Sequence, residues 1–199
     1  MLYYLLRPIA ILLCKILFRI QVKGKKNIPK KGGFILASNH LSYLDPVVLG
    51  VACPRKLNFM ARDDLFTIPL FSTLIRCLGA FPVKRNSPDI SAFKETFKKL
   101  KEQKPVVIFP EGRRNPQARP IPAQPGVGFI ASYLGVPVIP AYIKGTDKAL
   151  PMSARFIRLK KVSVCFGEQI FIERRKPHNY AEIAQQIMDS IRRLECRYP

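Results

Sequence analysis

The chain has 199 residues and a strongly basic composition, with 34 Lys and Arg against 13 Asp and Glu and a formal net charge of +21. Hydrophobic residues make up 48% of the chain, which is enough to build a core and excludes wholesale disorder. The length favours one domain over a repeat array. The charge predicts an anionic partner: nucleic acid, an acidic membrane surface, a phosphorylated substrate or an acidic carrier protein.

The amino-terminal residues 1–22 are predicted to form an amphipathic, membrane-associating helix, followed by one domain over residues 23–199. Residues 1–20 are apolar apart from Arg7, Lys15 and Arg19, and these charges make the segment a poor spanning helix. On a helical wheel the three cations share one polar sector opposite a wide apolar face. Two alternatives are a secretory signal, which lacks a small-residue cleavage site here, and a helix that covers the protein's own core.

The first 44 positions contain eight Lys or Arg and no acidic residue. Each basic residue near an anionic leaflet contributes about 1 kcal/mol of attraction, which would add to apolar insertion. An anionic membrane surface is therefore an expected partner. We expect the protein at the cytoplasmic face of the cytoplasmic membrane.

From residue 23 onward, short apolar runs alternate with stretches of helical periodicity. Strands are predicted at residues 33–38, 57–61, 81–83, 106–109 and 138–142. Amphipathic helices are predicted around residues 90–100, with a cap at Ser87 or Asp89, and around residues 183–194. This order predicts a single α/β domain with a mixed, largely parallel sheet covered by helices.

The cysteines and histidines predict no metal site. The five cysteines are widely spaced, include no Cys-x-x-Cys pair and are odd in number, which fits neither a zinc site nor a disulfide framework. The chain has only two histidines, far apart in sequence. We expect reduced thiols and no metal.

One histidine lies where an α/β sheet usually places its ligands. His40 directly follows the first predicted strand of the domain, and Asp45 comes five positions later. A carboxylate at that distance can accept the Nδ1 proton of the imidazole and leave Nε2 free as a base. This pair predicts proton abstraction from a hydroxyl or an amine. The alternative is a loop histidine that caps a helix.

Two further strand ends bring charge to the same edge. The run Pro110-Glu111-Gly112-Arg113-Arg114 follows the strand at 106–109, and the run from Gly79 ends in Lys84-Arg85. Glycine lets a ligand approach the backbone, Glu111 can accept hydrogen bonds from a hydroxyl, and the guanidinium groups can bind a phosphate bidentately. The alternative for the first run is a solvated turn.

These runs together resemble the glycerolipid acyltransferase family, and most closely its 1-acyl-sn-glycerol-3-phosphate (lysophosphatidic acid) acyltransferases. Asn39-His40 with Asp45 looks like the family's first motif, residues 79–85 like the second, Phe109-Pro110-Glu111-Gly112 like the third, and residues 136–140 like the fourth. All four occur in the family's order, and chance rarely produces such an ordered set.

The resemblance implies acyl transfer from a thioester to the free sn-2 hydroxyl of 1-acyl-glycerol 3-phosphate, giving phosphatidic acid in phospholipid biosynthesis. It implies His40 as general base and Asp45 as the residue that orients it. Substrate binding is carried over to a larger set, namely Lys84, Arg85, Glu111, Gly112, Arg113 and Arg114. Backbone N–H groups near residues 110–112 are candidate oxyanion donors. No cofactor is implied, since acyl-CoA or acyl-carrier protein serves as a donor substrate.

The sequence departs from the family's third motif. The family usually has Ser or Thr after the motif's glycine and Ser after its arginine, where this chain has Arg113 and Asn115. Both Arg113 and Arg114 therefore remain candidates for the phosphate, with Arg114 favoured by register alone.

Three other functions are open to a chain of this charge. A nucleic-acid-binding protein is disfavoured because the aromatic residues fall mostly in predicted core or amino-terminal positions and no binding module is recognisable. A non-catalytic protein that binds anionic lipid would not need His40 and Asp45. An acyltransferase with another acceptor, such as glycerol 3-phosphate, another lysophospholipid or an aminolipid, is the nearest alternative.

Overall fold

The structure is a computed structural model that describes residues 2–84, 90–173 and 179–197. The expected helix cap at Ser87 or Asp89 and the expected site residue Arg85 lie outside the described residues. In chain order the elements are α1 (Leu2–Phe18), β1 (Gln21–Lys23), β2 (Ile35–Ser38), α2 (Asp45–Ala52), β3 (Asn58–Arg62), α3 (Pro69–Cys77), β4 (Ala80–Val83), α4 (Ile90–Lys101), β5 (Val106–Ile108), α5 (Gly126–Leu134), β6 (Val138–Lys144), α6 (Thr146–Ala149), β7 (Ser163–Phe166) and α7 (Tyr180–Arg197).

The strands form one sheet in the order β1-β7-β6-β2-β5-β3-β4. All neighbouring strands run parallel except β6 and β7, which are antiparallel. Strands β2 and β5 and most of β6 are buried, as expected for strands covered on both faces. The predicted α/β class with a mixed, largely parallel sheet is confirmed.

Helices cover both faces of the sheet and divide the core in two. One face carries α1 and α2, with Phe18, Val48 and Leu49 packed on the sheet. The other face carries α4, α5 and α7, which contribute Leu100, Ile130, Ile187 and other side chains to a second cluster. Full burial of such a side chain stabilises a fold by about 1.5–3 kcal/mol, so the two clusters hold the sheet rigid beneath its loops.

Helix α1 is part of the domain. Its side chains Tyr3, Cys14 and Phe18 are buried against the fold, and the predicted boundary after residue 22 falls inside β1. Strands β1 and β7 and helices α2, α3, α5 and α6 were not predicted.

The predicted polar sector of α1 is wrong at Arg7. Arg7 lies on the same side of the helix as Tyr3 and Cys14, and its Nη2 donates to the carbonyl oxygen of Cys53 at 2.8 Å. Arg19 lies beyond the helix end, in a left-handed backbone conformation. The helical wheel misplaced Arg7 because it takes no account of tertiary contacts. A hydrogen bond to the residue after α2 satisfies the Arg7 guanidinium on the side of α1 that faces the domain.

The opposite side of α1 is apolar and exposed. Six aliphatic side chains there are between 39% and 67% accessible, namely Leu2, Leu5, Ile9, Leu12, Leu13 and Ile16. Isolated exposed apolar residues are common, but a contiguous row marks an interaction surface. Within the described residues, no helix combines the length and the low charge that a membrane crossing requires.

Candidate active site

The candidate site lies at the carboxyl-terminal edge of three adjacent strands. His40 follows β2 by two residues, Glu111 follows β5 by three, and Thr146 follows β6 by two. Strand β2 pairs with both β5 and β6 in parallel, so these three loops meet at one edge. This is the edge where open α/β sheets bind their ligands.

His40 and Asp45 form a direct pair. His40 Nδ1 lies 2.7 Å from Asp45 Oδ2, and the His40 side chain is 19% exposed while that of Asp45 is fully buried. A carboxylate only accepts hydrogen bonds, so Nδ1 carries the hydrogen and Nε2 of the neutral imidazole keeps its lone pair. The structure thus brings the predicted base and its predicted orienting carboxylate together.

Asp45 is fixed by donors from three directions. The same Oδ2 accepts hydrogen bonds from the backbone N–H groups of Leu41 and Ser42 at 2.7 and 2.8 Å. The hydroxyl of Thr146 donates to Oδ1 at 2.6 Å. A buried carboxylate without such partners would carry a large desolvation cost, so these bonds make the buried position of Asp45 tenable.

A glycine places Thr146 beside Asp45. Gly145 has φ +93°, and a Cβ there would come within 2.2 Å of the carbonyl oxygen of Lys161. Only glycine fits that combination of backbone angle and close approach, and it turns the chain from β6 into the short α6. Thr146 begins α6 and is fully buried.

Glu111 ties the loop after β5 to the loop after β2. Its Oε2 accepts the backbone N–H of His40 at 2.7 Å, and its Oε1 accepts from Asn115 Nδ2 at 2.9 Å. The backbone N–H of Asn115 in turn donates to the carbonyl oxygen of His40 at 2.6 Å. Burial raises the pKa of Glu111, and its bonds to Asn115 and His40 oppose that shift.

This arrangement gives Glu111 a role that the sequence did not predict. The residue is only 4% exposed and both carboxylate oxygens are engaged by the loops that frame His40. In this structure it positions the backbone of His40. Direct contact between Glu111 and an acceptor stays a prediction.

The two candidate arginines differ in environment. The guanidinium carbon of Arg114 lies 3.6 Å from the centre of the Tyr43 ring, and Arg114 Nη1 is buried with no hydrogen-bond partner among the described residues. Arg113 is exposed to solvent. Because its guanidinium is held by the aromatic ring and has an unused N–H donor, Arg114 is better suited than Arg113 to bind an anionic group.

Gly112 shapes the turn that precedes the two arginines. It has φ +66°, and its N–H donates to the carbonyl oxygen of Phe109 at 3.0 Å. A Cβ at this position would meet Gln124 Cγ at 2.9 Å. The Gly112 N–H, one of the expected oxyanion donors, is therefore already engaged inside the turn.

Phe109 links the imidazole of His40 to an apolar pocket. Phe109 stacks on His40 with ring centres 4.0 Å apart and an angle of 14° between the ring planes. Phe109 also lines a pocket of about 230 Å³ that runs between α4 and α5, with Lys84, Ala92, Phe93 and other residues in its wall. The structure thus places Lys84 at this pocket.

Among residues 2–84, 90–173 and 179–197, no three His, Cys, Asp or Glu residues cluster closely enough to hold a metal ion.

Comparison with known proteins gives the family of this chain. A family model named Acyltransferase matches residues 19–144, which include His40, Asp45 and the loop of Glu111. The chain belongs to the acyltransferase family. The family and the enzyme class expected from the motifs are confirmed.

Several similar proteins cover most of this family member. A 1-acyl-sn-glycerol-3-phosphate acyltransferase of Bacillus subtilis is 32% identical over 153 residues, covering 76% of this chain and 73% of that protein. One from Streptococcus pneumoniae is 30% identical, with 96% and 72% covered. The crystal structure of the 1-acyl-sn-glycerophosphate (LPA) acyltransferase PlsC from Thermotoga maritima superposes with a TM-score of 0.73 at 26% identity, covering 90% of this chain and 73% of that one.

Sequence reasoning missed four residues that build the site of this acyltransferase. Phe109 covers one side of the His40 ring, and Thr146 donates a hydrogen bond to Asp45. Asn115 donates a hydrogen bond to Glu111, and the Arg114 guanidinium stacks on the ring of Tyr43. Phe109 is itself part of the recognised third motif and Asn115 follows that motif by three residues, so their position was the available signal. Thr146 has none, because its partner is 101 residues away.

Proposed function

We propose that the protein transfers a fatty acyl group from a thioester donor to the free sn-2 hydroxyl of 1-acyl-glycerol 3-phosphate, giving phosphatidic acid. The observation that carries the proposal is the 2.7 Å contact between His40 and the buried Asp45, next to an apolar pocket lined by the Phe109 that stacks on His40. The acceptor is supported by the names of the relatives that cover most of the chain.

The proposed reaction uses His40 Nε2 as a general base. Nε2 takes the proton of the acceptor hydroxyl as its oxygen attacks the thioester carbonyl, and Asp45 stabilises the imidazolium that forms. The tetrahedral intermediate then collapses with cleavage of the C–S bond. The imidazolium returns the proton to the leaving thiolate, so the ester and the free thiol are the products and His40 is regenerated.

The acceptor phosphate is assigned to the arginine that stacks on Tyr43. Arg114 has a donor nitrogen without a partner in the described part of the chain, and a guanidinium binds phosphate through paired N–H groups. Arg113 is its exposed neighbour. Lys84 and Arg85 are the other cations that the sequence predicts to bind substrate.

The acyl chain is assigned to the pocket between α4 and α5. Its wall is formed by Phe93, Val127, Ile130 and other apolar side chains, and Phe109 joins it to the imidazole. Apolar walls that start at a polar reacting centre suit a substrate with one reactive end and a hydrocarbon tail. Acyl-CoA or acyl-carrier protein would supply this group as a substrate, with no cofactor.

We also infer that α1 docks the enzyme on an anionic membrane at the cytoplasmic face of the cytoplasmic membrane. The exposed aliphatic row on α1 offers apolar area for the interface, and the eight basic residues in positions 1–44 offer charge for the headgroups. The lipid substrates lie in that membrane, so docking would bring the site to them.

The reaction is tested by separating the products formed from radiolabelled acyl-CoA and lysophosphatidic acid. Wild type and His178→Ala, the matched control at the other histidine, should make phosphatidic acid at equal rates. His40→Ala should lose about 10²–10⁴-fold in turnover with its thermal unfolding unchanged. Equal turnover in His40→Ala would overturn the base, and lack of product from folded wild type with acyl-CoA and acyl-carrier protein would overturn the acceptor.

Membrane docking is tested by sedimentation with vesicles that contain phosphatidylglycerol. The double variant Ile9→Glu with Ile16→Glu should bind roughly tenfold more weakly, because both changes place charge in the apolar row. The control is Ile90→Glu with Phe171→Glu, which makes the same charge change at exposed apolar residues outside α1. Equal weakening in both variants would show that only net charge matters.

A further inference from the structure

A second and larger cavity lies at the opposite edge of the sheet from His40. It has a volume of about 540 Å³ and is lined by Asn58, Ala80 and Pro105, which begin or precede β3, β4 and β5. These strands are parallel, so their amino-terminal ends lie together, away from the edge that carries Glu111. Helix α1 closes one side with Tyr3, Tyr4 and Arg7.

Two residues of α1 that line this cavity, Tyr3 and Arg7, each hold a buried polar atom without a partner in the described part of the chain. Tyr3 is only 8% exposed, and neither its hydroxyl nor Arg7 Nε has a hydrogen-bond partner in the described part of the chain. Buried polar groups are almost always satisfied, so an unsatisfied pair calls for a ligand or an ordered water. Burial raises the pKa of Tyr3, so its hydroxyl is a donor at neutral pH, as is Arg7 Nε–H.

The wall of the cavity is strongly cationic. Its described lining contains no Asp or Glu but includes six cations, namely Arg7, Arg55, Lys56, Arg76, Lys99 and Lys104. Lys99 and Lys104 pair with Glu95 and Glu102.

The remaining four cations bond neutral groups. Arg55 donates to the carbonyl oxygens of Gly32 and Gln103, and Lys56 donates to that of Cys77. Arg76 stacks over Phe66, and Arg7 donates to Cys53. Carbonyl bonds fix the positions of these side chains and leave their positive charge uncompensated.

We propose that this cavity binds a phosphate group, with Tyr3, Arg7 and Lys56 as its central donors. Lys56 Nζ lies 4.9 Å from the centre of the Tyr3 ring, Arg7 follows Tyr3 by one helical turn on the same side of α1, and all three residues line the cavity. Hydrogen bonds from cations to phosphate are short and strong, and here every orphaned atom is a donor. The volume falls in the usual range of ligand sites.

The phosphate can belong to a lipid headgroup or be free in solution. The exposed row of α1 lies near this cavity, since Tyr4 lines the cavity, is 72% exposed and directly precedes Leu5 of the row. A headgroup in the cavity would leave its acyl chains along that row. The site lies at the opposite edge from His40 and does not depend on the proposed acyl transfer.

The test follows the Arg7 Nε–Hε resonance of the ¹⁵N-labelled full chain by NMR. The probes are inorganic phosphate, dihexanoyl phosphatidylglycerol below its micelle concentration, and dihexanoylglycerol, which lacks the phosphate. We expect saturable shifts with the two phosphate probes and none with dihexanoylglycerol. Tighter binding of phosphatidylglycerol identifies a headgroup site, and equal binding identifies a site for free phosphate.

The variant Tyr3→Phe with Lys56→Gln should weaken both phosphate probes by roughly tenfold or more. Its matched control is Tyr133→Phe with Lys160→Gln, which removes one hydroxyl and one charge at residues that do not line the cavity and should bind as wild type. Thermal unfolding of both variants checks their fold. No saturable shift in wild type, or equal weakening in the control, would overturn the site, and since no acyl donor is present, neither result bears on acyl transfer.

Discussion

Thr146 donates its hydroxyl hydrogen to Asp45 Oδ1 at 2.6 Å across a separation of 101 residues. The bond joins the first residue of α6 to the first residue of α2 and occupies the carboxylate oxygen that His40 does not use. It fixes the plane of the carboxylate, and through it the imidazole, from a residue that lies outside the four recognised motifs.

Replacing Thr146 with Val should lower turnover by about tenfold with little change in KM. Valine keeps the shape of threonine but removes the hydroxyl, leaving Oδ1 of a buried charge without one donor, a loss on the order of 1.5–3 kcal/mol. Part of that loss appears as misorientation of the imidazole. Steady-state kinetics with lysophosphatidic acid measures both constants.

Thr146→Ser is the control, because serine retains the donor. Its turnover should stay within about threefold of wild type, since only a methyl group is lost. If Val and Ser variants lose turnover equally, the effect comes from packing and the hydrogen bond has no positioning role.

Arg114→Ala should raise KM for lysophosphatidic acid by about 10–100-fold, while Arg113→Ala should change it little. A charge-assisted bond to phosphate is on the order of 1.5–3 kcal/mol, and each 1.4 kcal/mol is a factor of ten. Arg114 stacks on Tyr43 and has a buried donor to offer, whereas Arg113 is exposed. The measurement is repeated with 1-acylglycerol, which lacks the phosphate.

With 1-acylglycerol the difference between wild type and Arg114→Ala should disappear. A larger effect of Arg113→Ala on lysophosphatidic acid would reverse the assignment of the two arginines.

Stability should depend on pH through Glu111. Burial raises its pKa above the ordinary value of 4.5, so the folded protein holds this proton at pH values where the unfolded chain has released it. Folding then loses stability as pH rises from about 4.5 through the raised pKa, because the folded state binds more protons. In Glu111→Gln this loss is absent.

The check is denaturant unfolding of both proteins across this pH window. The free energy of unfolding of wild type minus that of Glu111→Gln should fall as pH rises. A difference that is flat or rises with pH would show that the hydrogen bonds from Asn115 and His40 outweigh burial.

The sequence predicted five neighbouring strands of the sheet and missed the two at its other end. Strands β2, β3, β4, β5 and β6 fall in short apolar runs, so each was found. Strand β1 is three residues with two exposed, and β7 follows a polar stretch, so neither carries a clear pattern. Helix α2 was missed because Asp45-Pro46 opens it, and this pair reads as a loop.

For the site too, the sequence predicted the residues that belong to local patterns and missed the contacts between distant residues. His40, Asp45 and Glu111 were found because chemistry and spacing along the chain are local properties. The bonds from Thr146 to Asp45 and from Arg7 to Cys53 depend on which loops the sheet order brings together. No local pattern reports such long-range pairs.

Filling the pocket between α4 and α5 should change which acyl chains the enzyme accepts. Ala92 is 4% exposed and lines this pocket. Ala92→Leu adds a branched side chain to the wall, so long hydrocarbon tails should be excluded and short ones retained. The ratio of kcat/KM for palmitoyl-CoA to that for octanoyl-CoA should fall by about tenfold or more, since a single methylene in an apolar pocket discriminates by about 10–200-fold.

Ala181→Leu, in the exposed first turn of α7, is the control and should leave the ratio unchanged. Because overpacking a core costs about 1–3 kcal/mol, thermal unfolding is measured alongside. If Ala92→Leu is stable and keeps the wild-type ratio of the two kcat/KM values, the acyl chain lies outside this pocket.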